Sequence, residues 1–304
     1  MAAREVTAAA GVPTGDDGAL VPLQVRIGFA HASVQWVADH CGADLIHVKG
    51  AALDPTLVAG RSYSDADVMV RPAHVARMLR ELRGHGWELI NSFAYGSSFE
   101  HSATLRHADF GLLDLHRVYP GAGPTPEAAF ETLWAQRETI TLGGWPCAVP
   151  ARGAQAALLL LHAARGGTDP KAARDVECVW TTATAAERHE VLHWVERLDA
   201  GLGFSVITGH LEDHRDDPAY DLWRVAAHGG TRVEEWRARL RAARGARAKA
   251  LVAGRSVLVN VEHLTLVRGR PVSRREVAAE FFDRPLRGLR EQLSRRRSRG
   301  GQGR

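Results

Sequence analysis

Ser64-Asp65-Ala66-Asp67-Val68-Met69-Val70 sets two carboxylates on alternate positions at the head of an apolar run, fifteen residues after Lys49-Gly50. If the run is a strand, alternate side chains share a face, so Asp65 and Asp67 point the same way. Like charges held together raise each other's proton affinity, which makes the pair costly unless a cation sits between them. The natural occupant is a divalent metal, and the natural cargo of such a metal is a phosphate chain. An Asp-x-Asp ahead of a strand is also what a solvated turn looks like. The surroundings have to decide.

A third carboxylate stands out in Leu112-Leu113-Asp114-Leu115-His116, where one acid is set among leucines. On a strand Asp114 and His116 share the face opposite Leu113 and Leu115. An acid there is expensive to bury unless it is coordinated or paired. Between Asp67 and Asp114 the pattern holds one helix and two strands, enough chain to return beside its starting strand. Asp109 is the nearby competitor, but its spacing sends it to the other face. Only Lys49, Lys171 and Lys249 among 39 basic residues are lysine, and Lys49 directly precedes Gly50. A compact, mobile ammonium suits phosphate oxygens. Taken singly, Lys49 reads equally as a loop lysine and Arg61 as a loop ion pair.

The elements that must position these residues follow from periodicity. Residues 1–22 are rich in Ala, Gly, Thr and Pro and read as a flexible leader. An amphipathic helix is expected from Leu23 to His40, stopped near Gly42, then a short buried strand over Asp44–Val48 and a turn at Gly50. A short helix over Ala51–Val58, a strand over Asp65–Val70 and a helix over Pro72–Gly84 come next. Strands are expected at Trp87–Ser92, Phe99–Leu105 and Phe110–Val118. This is an α+β unit, residues 23–150. Residues 151–293 read as mostly α-helical, with helices at Ala154–Ala164, Lys171–Thr184, Ala186–Leu198, Asp221–His228, Val233–Ala250 and Arg274–Leu293. A short hairpin is expected over Val257–Val267, and 294–304 as a basic disordered tail.

The net charge of +4 is a property of that end of the chain. From Arg284 onward eight Arg face one Glu, a net of +7, which leaves −3 for the rest. The basicity therefore argues for a solvated tail before it argues for a nucleic-acid surface. The longest apolar run, 156–161, is far short of the roughly 18 residues a spanning helix needs. Nothing near the N-terminus reads as a signal peptide. Cys41, Cys147 and Cys178 are scattered with no C-x-x-C, which fits a reducing, cytoplasmic compartment.

Together these residues resemble a family. Val48-Lys49-Gly50-Ala51-Ala52-Leu53, then Arg61 through Asp65-Ala66-Asp67 to Pro72, then Asp114-Leu115-His116, look like the uncharacterised nucleotidyltransferase family within the DNA polymerase beta superfamily. The family pattern runs K-G-x-A, an arginine four before D-x-D, and a D-x-H strand. Leu161-His162-Ala163 and Arg174-Asp175 also sit where it carries an H-A helix and an R-D pair, so the resemblance covers at least 23–180.

The resemblance implies a small mixed sheet with flanking helices, followed by a helical domain, and transfer of an NMP group from an NTP. By analogy Asp65 and Asp67 hold two Mg²⁺ (or Mn²⁺) ions, and Asp114 holds the catalytic one and helps to activate the acceptor hydroxyl. Lys49, Gly50, Arg61 and Ser64 belong to the nucleotide cradle, the turn at Gly50 presenting backbone N–H groups to the triphosphate. His116 either orients Asp114 or caps the strand end. The wider superfamily carries Gly-Ser where this chain has Lys49-Gly50. The acceptor, whether small molecule, peptide or protein, or RNA, is left open, as is the oligomeric state.

Two rivals come from other classes. His189-Glu190-Val191-Leu192-His193 is a literal H-E-x-x-H on an expected helix, with Glu212 at a spacing for a third ligand, as in a zinc metallopeptidase. A non-catalytic module that binds a nucleotide or RNA is the other.

Overall fold

The computed structural model describes residues 21–58 and 63–257, with 259, 261, 264, 268, 270–281 and 283. The leader apart from its last two residues, Arg61 and the basic tail lie outside the described residues.

A five-stranded mixed sheet carries the molecule. It is built from β1 (Leu45–His47), β2 (Asp65–Val70), β3 (Glu88–Asn91), β4 (Ser102–His107) and β5 (Gly111–His116), in the order β1-β2-β5-β4-β3. β2 and β5 are parallel neighbours, with Asp67 directly across from Asp114 and Met69 across from His116. Two neighbouring parallel strands need a long connection, and the chain supplies it by running out to the far edge and back. The other pairings are antiparallel.

Period-2 alternation gives the sheet two unlike faces. Leu45, Ala66, Val68, Val70, Leu105, Leu113 and Leu115 pack with Ala30, Val34 and Val37 of α1 (Leu23–Cys41) and with Met78 and Leu82 of α3 (Val75–Gly84). Each leucine of that layer, fully buried, contributes roughly 2 kcal/mol. The other face carries Ile46 and Met69 at one end and the acids at the other. Ile46 and Met69 join a larger core with Phe130, Leu158, Trp194 and Trp223, drawn from α5 (Pro126–Ala135), α6 (Arg152–Ala163), α8 (Ala185–Arg197) and α10 (Tyr220–His228). Helices thus close one end of this face and leave the acid-bearing end for chemistry.

The remaining elements are the one-turn helices α2 (Pro55–Val58) and α4 (Phe93–Gly96), the strands β6 (Glu138–Leu142) and β7 (Trp145–Val149), and the helices α7 (Pro170–Val176), α9 (Gly201–Thr208), α11 (Arg232–Ala242) and α12 (Ala246–Val257). No helix among the described residues is long and apolar enough to cross a membrane.

Several expectations are corrected. The helix over 51–58 is a 3-10 turn at Gly50–Ala52 followed by α2. The break lies at Asp54, which precedes Pro55 and therefore disfavours helical geometry. It caps the new start instead, its carboxylate accepting from Thr56 N–H. The strand expected at Phe99–Leu105 runs three residues later, and the helix over 171–184 ends at Val176 in a π-turn, Glu177–Thr181. The helix over 233–250 is two, α11 and α12, parted near Gly245 at φ 84°. α5 and the β6–β7 hairpin fall where no element was expected. The hairpin turns on Gly143-Gly144, both at positive φ, and a Cβ on Gly143 would stand 2.5 Å from the Gly28 carbonyl of α1. The described positions inside the hairpin expected over 257–267, Val257, Val261 and Leu264, are helical.

Candidate active site

Asp65 opens β2, Asp67 follows on the same face, and β5 delivers Asp114 beside Asp67. Thr104 of β4 stands across from Asp114 and donates its hydroxyl to Asp114 Oδ1 at 2.8 Å. His116, two residues on, places Nε2 2.8 Å from Asp67 Oδ1. From the end of β1, Lys49 brings Nζ to 2.6 Å from the same oxygen, with its side chain 13% exposed.

Gly50 makes that approach possible. It sits at φ 64°, in the left-handed region, and a Cβ would lie 3.4 Å from the Asp65 carbonyl. Its role differs from the one expected. The N–H groups of Ala52 and Leu53 are taken by the Lys49 and Gly50 carbonyls, and the turn is only three residues long. Gly50 steers Lys49 into the site and is not the head of a phosphate-binding helix.

The electrostatics sort the three acids. The Asp114 carboxyl is pushed up to about 7 by burial and then by the Asp67 charge. Asp65 is pushed up to about 6 by the same two causes. At Asp67 burial works in that direction too, but Lys49 and His116 outweigh it and hold the group well below the usual carboxylate range. At Lys49 burial works to lower the ammonium's pKa, yet Asp67, Tyr119 and Asp114 together raise it. One fixed anion and one fixed cation thus sit among two carboxyls that cannot both ionise cheaply.

That charge deficit is the test of whether the residues fit a divalent metal, and they fit. Ligand atoms of Asp67, Asp114 and His116 all lie within 4.8 Å of one another. Asp65, expected in that group, stands outside it; His116 stands inside. The histidine's hydrogen bonding gives it a different task. Burial keeps the imidazole below its usual pKa, so it is neutral. With Nε2–H assigned as donor to Asp67, Nδ1 is a bare acceptor, buried with no hydrogen-bond partner. A metal on Nε2 would move the proton to Nδ1, where no acceptor waits. His116 therefore orients Asp67, rather than Asp114 or the strand end. Both donors take Oδ1 and neither takes Oδ2, which is left for a cation.

Ser64 keeps only a long contact, 3.4 Å, to Asp65 Oδ1. Arg61 falls outside the described residues. Asp109 is exposed in a turn and offers its backbone carbonyl to Arg26. The site also contains residues the sequence did not single out. Thr104 is one, and His101, whose ring centroid lies 5.2 Å from that of His116 and whose Nε2 is 3.2 Å from an Arg165 nitrogen, is another. Both are brought in by the β4 register, which no local spacing encodes.

The rival zinc motif is not assembled. His189 and His193 are exposed on α8, while Glu190 pairs with Arg152 at 3.3 Å. Glu212 bonds Arg215 and Tyr220. Among the described residues the Asp67, Asp114 and His116 group is the one that could hold a metal ion.

The class that this sheet and its charged face define is that of the nucleotidyltransferases. The chain belongs to the uncharacterised nucleotidyltransferase family, whose model matches residues 38–210, from within α1 to the residue after α9. A search of curated proteins found no match. Among solved structures, the chain is similar to the lincomycin-bound lincosamide antibiotic adenylyltransferase LnuA, at 14% identity over 55% of this chain and 93% of that one, with a TM-score of 0.31. It is similar to the antibiotic-resistance factor ANT(2'')-Ia at 16% identity, covering 64% and 100%, with a TM-score of 0.42. An antigenic nucleotidyltransferase-like protein from Paracoccidioides brasiliensis gives 15% identity, 62% and 95%, and 0.36.

Proposed function

We propose that the chain transfers an NMP group from an NTP to a hydroxyl-bearing acceptor, in a reaction that depends on Mg²⁺ or Mn²⁺. The observation that carries this reading is the opposed pair Asp67 and Asp114 on parallel strands, with Lys49 already seated on Asp67. Asp65, Asp67 and Asp114 would hold the divalent ions, which in a two-metal reaction supply positive charge to the attacking and leaving oxygens.

The side chains have separable tasks. His116 and Lys49 fix the Asp67 carboxylate through Oδ1. The Lys49 ammonium, a compact charge, exchanges Asp67 for a phosphate oxygen when the nucleotide arrives. Thr104 fixes Asp114 through Oδ1, and the other oxygen, with no protein donor on it, takes the proton of the attacking hydroxyl. Ser64 and Arg61, next to Asp65 in sequence, complete the nucleotide cradle. In this reading residues 23–150 carry the chemistry and 151–293 shape the acceptor pocket, in a cytoplasmic protein.

The test is incubation with each α-labelled NTP, Mg²⁺ or Mn²⁺, and fractionated cell extract. Label that moves to an extract component with wild type and not with Asp114→Asn supports the reading and identifies nucleotide and acceptor together. Nucleotide binding with no transfer or pyrophosphate release in any fraction overturns it.

A further inference from the structure

A cavity of about 720 Å³ lies beyond the far ends of β2 and β5, past Val70 and His116, whereas Asp65 stands at the opposite end of β2. Its walls are apolar: Val75 and Leu79 of α3, Phe93 of α4, Phe99, Leu222 of α10 and Val252 of α12. Volume and lining both fall within the range of small-molecule sites.

The polar groups on this wall are not balanced. Glu100 Oε2 receives Arg255 at 2.5 Å and has Arg117 at 3.7 Å. Glu235 Oε1 receives Arg239 at 2.9 Å and the Ser98 hydroxyl at 2.7 Å. Three guanidiniums therefore share two carboxylates, and the remaining acid of the lining, Glu127, is exposed at the rim. Arg239 is a cavity residue with a side chain only 10% exposed, and its Nε is buried with no hydrogen-bond partner. A buried donor left unmade is costly, and a charged one more so. Burial lowers the pKa of Arg117, Arg255 lowers it further, and Glu100 only partly offsets them. Glu100 itself holds a left-handed φ of 50°, a conformation that a non-glycine residue keeps only when its surroundings impose it.

We propose that this cavity binds an amphipathic monoanion, an unbranched acyl carboxylate of medium length, with its chain among Leu79, Phe93 and Leu222 and its head group taking the unmade Arg239 donor and the charge of Arg117. An anion supplies the missing negative charge and the missing acceptor at once. A neutral apolar molecule would fill the walls and leave both deficits.

Isothermal titration of the full chain with decanoate is the test. One saturable site is expected, with decanol binding at least tenfold more weakly. Arg239→Gln should weaken decanoate about tenfold and bring the two ligands together. Leu79→Trp fills the cavity and should abolish binding; Ala76→Leu, a smaller intrusion at the rim, should weaken it and serves where the tryptophan variant fails to fold. Saturating ATP and Mg²⁺, or the Asp114→Asn substitution, should leave decanoate affinity unchanged. No saturable site, equal affinity for decanol, insensitivity to both the Leu79 and Ala76 variants, or competition by ATP would each overturn the proposal. Because the readout is binding without transfer, its failure is distinct from failure of the catalytic reading.

Discussion

Two acidic-and-basic motifs of similar length, Asp65-Ala66-Asp67 on β2 and His189-Glu190-Val191-Leu192-His193 on α8, meet opposite fates in one molecule. Each is regular enough to suggest a metal. The fold brings Lys49, Asp114 and His116 to the first, from the end of β1 and from β5. To the second it brings Arg152, which takes Glu190 and leaves both imidazoles in solvent. The first pair of acids is buried in a charge deficit; the histidines of the second carry no such burden. What makes a site is the convergence of other elements on the motif, and burial that leaves its charge incomplete.

The largest expected effects come from breaking the first site. Asp65→Asn, Asp67→Asn and Asp114→Asn should each lower transfer about a thousandfold or more, measured as release of pyrophosphate. Two of them should then part company in stability. Asp67→Asn strands the half-buried Lys49 ammonium without its counter-ion and should destabilise the metal-free protein by about 3 kcal/mol. Asp114→Asn removes a carboxyl whose ionised form burial and Asp67 oppose, so it should leave the thermal midpoint equal or higher. A drop for both would mean that the acids serve the fold and would dissolve the contrast.

Next in size is Lys49→Met. Its loss should fall on nucleotide binding, raising the KM for NTP more than it lowers kcat, by about one to two orders of magnitude. In the metal-free state the same variant leaves Asp67 with only His116, so its midpoint should fall and recover as Mn²⁺ is added. An unchanged KM would show that Lys49 never leaves Asp67.

How much of this was readable depends on the range of the interaction concerned. The shared face of Asp65 and Asp67, and that of Asp114 and His116 against Leu113 and Leu115, follow from period-2 spacing and stand as expected, Leu113 and Leu115 being wholly buried. The parallel pairing of β2 with β5 rests on chain return, again a local count. Thr104 and His101 could not be read, because their place beside Asp114 and His116 is set by the β4–β5 register. The single turn after Lys49 was legible in Asp54-Pro55 and the β6–β7 hairpin in Gly143-Gly144. Both signals were present, and the helical period around them masked the first and the lack of alternation in 138–149 the second.

The pH dependence gives a smaller but signed effect. The Asp114 carboxyl, ordinarily near 3.8, keeps its proton in the folded metal-free protein up to about 7. Between those values the unfolded chain has released a proton that the folded chain holds, so this group's contribution to stability falls as pH rises. His31, held down to about 4 by burial, acts in the opposite sense between about 4 and 6.5, as do His47, His101 and His116, each lowered by burial. Wild type alone therefore shows a mixed slope. The difference between Asp114→Asn and wild type isolates the acid: in EDTA the variant's advantage should grow from pH 4 to pH 7 and then level off. A constant difference across that window would remove the buried-acid side of the comparison.

The smallest effect belongs to the other motif, and its smallness is the point. His189→Ala and His193→Ala should each change the midpoint by less than about 0.5 kcal/mol equivalent, leave transfer intact and leave the zinc content of purified protein unchanged. The reasoning is local. Both rings are exposed, and the apolar side of α8 is already occupied by Val191, Trp194 and Val195. Glu190→Gln should cost more than either, because Glu190 is tied to Arg152 of α6 and packs onto Gly153, where a Cβ would meet its Cγ at 2.6 Å. A glutamate committed between two helices is not placed to act as a base on a metal-bound water. If the histidine variants instead lost activity and zinc together, α8 would be the site and the buried acids its scaffold.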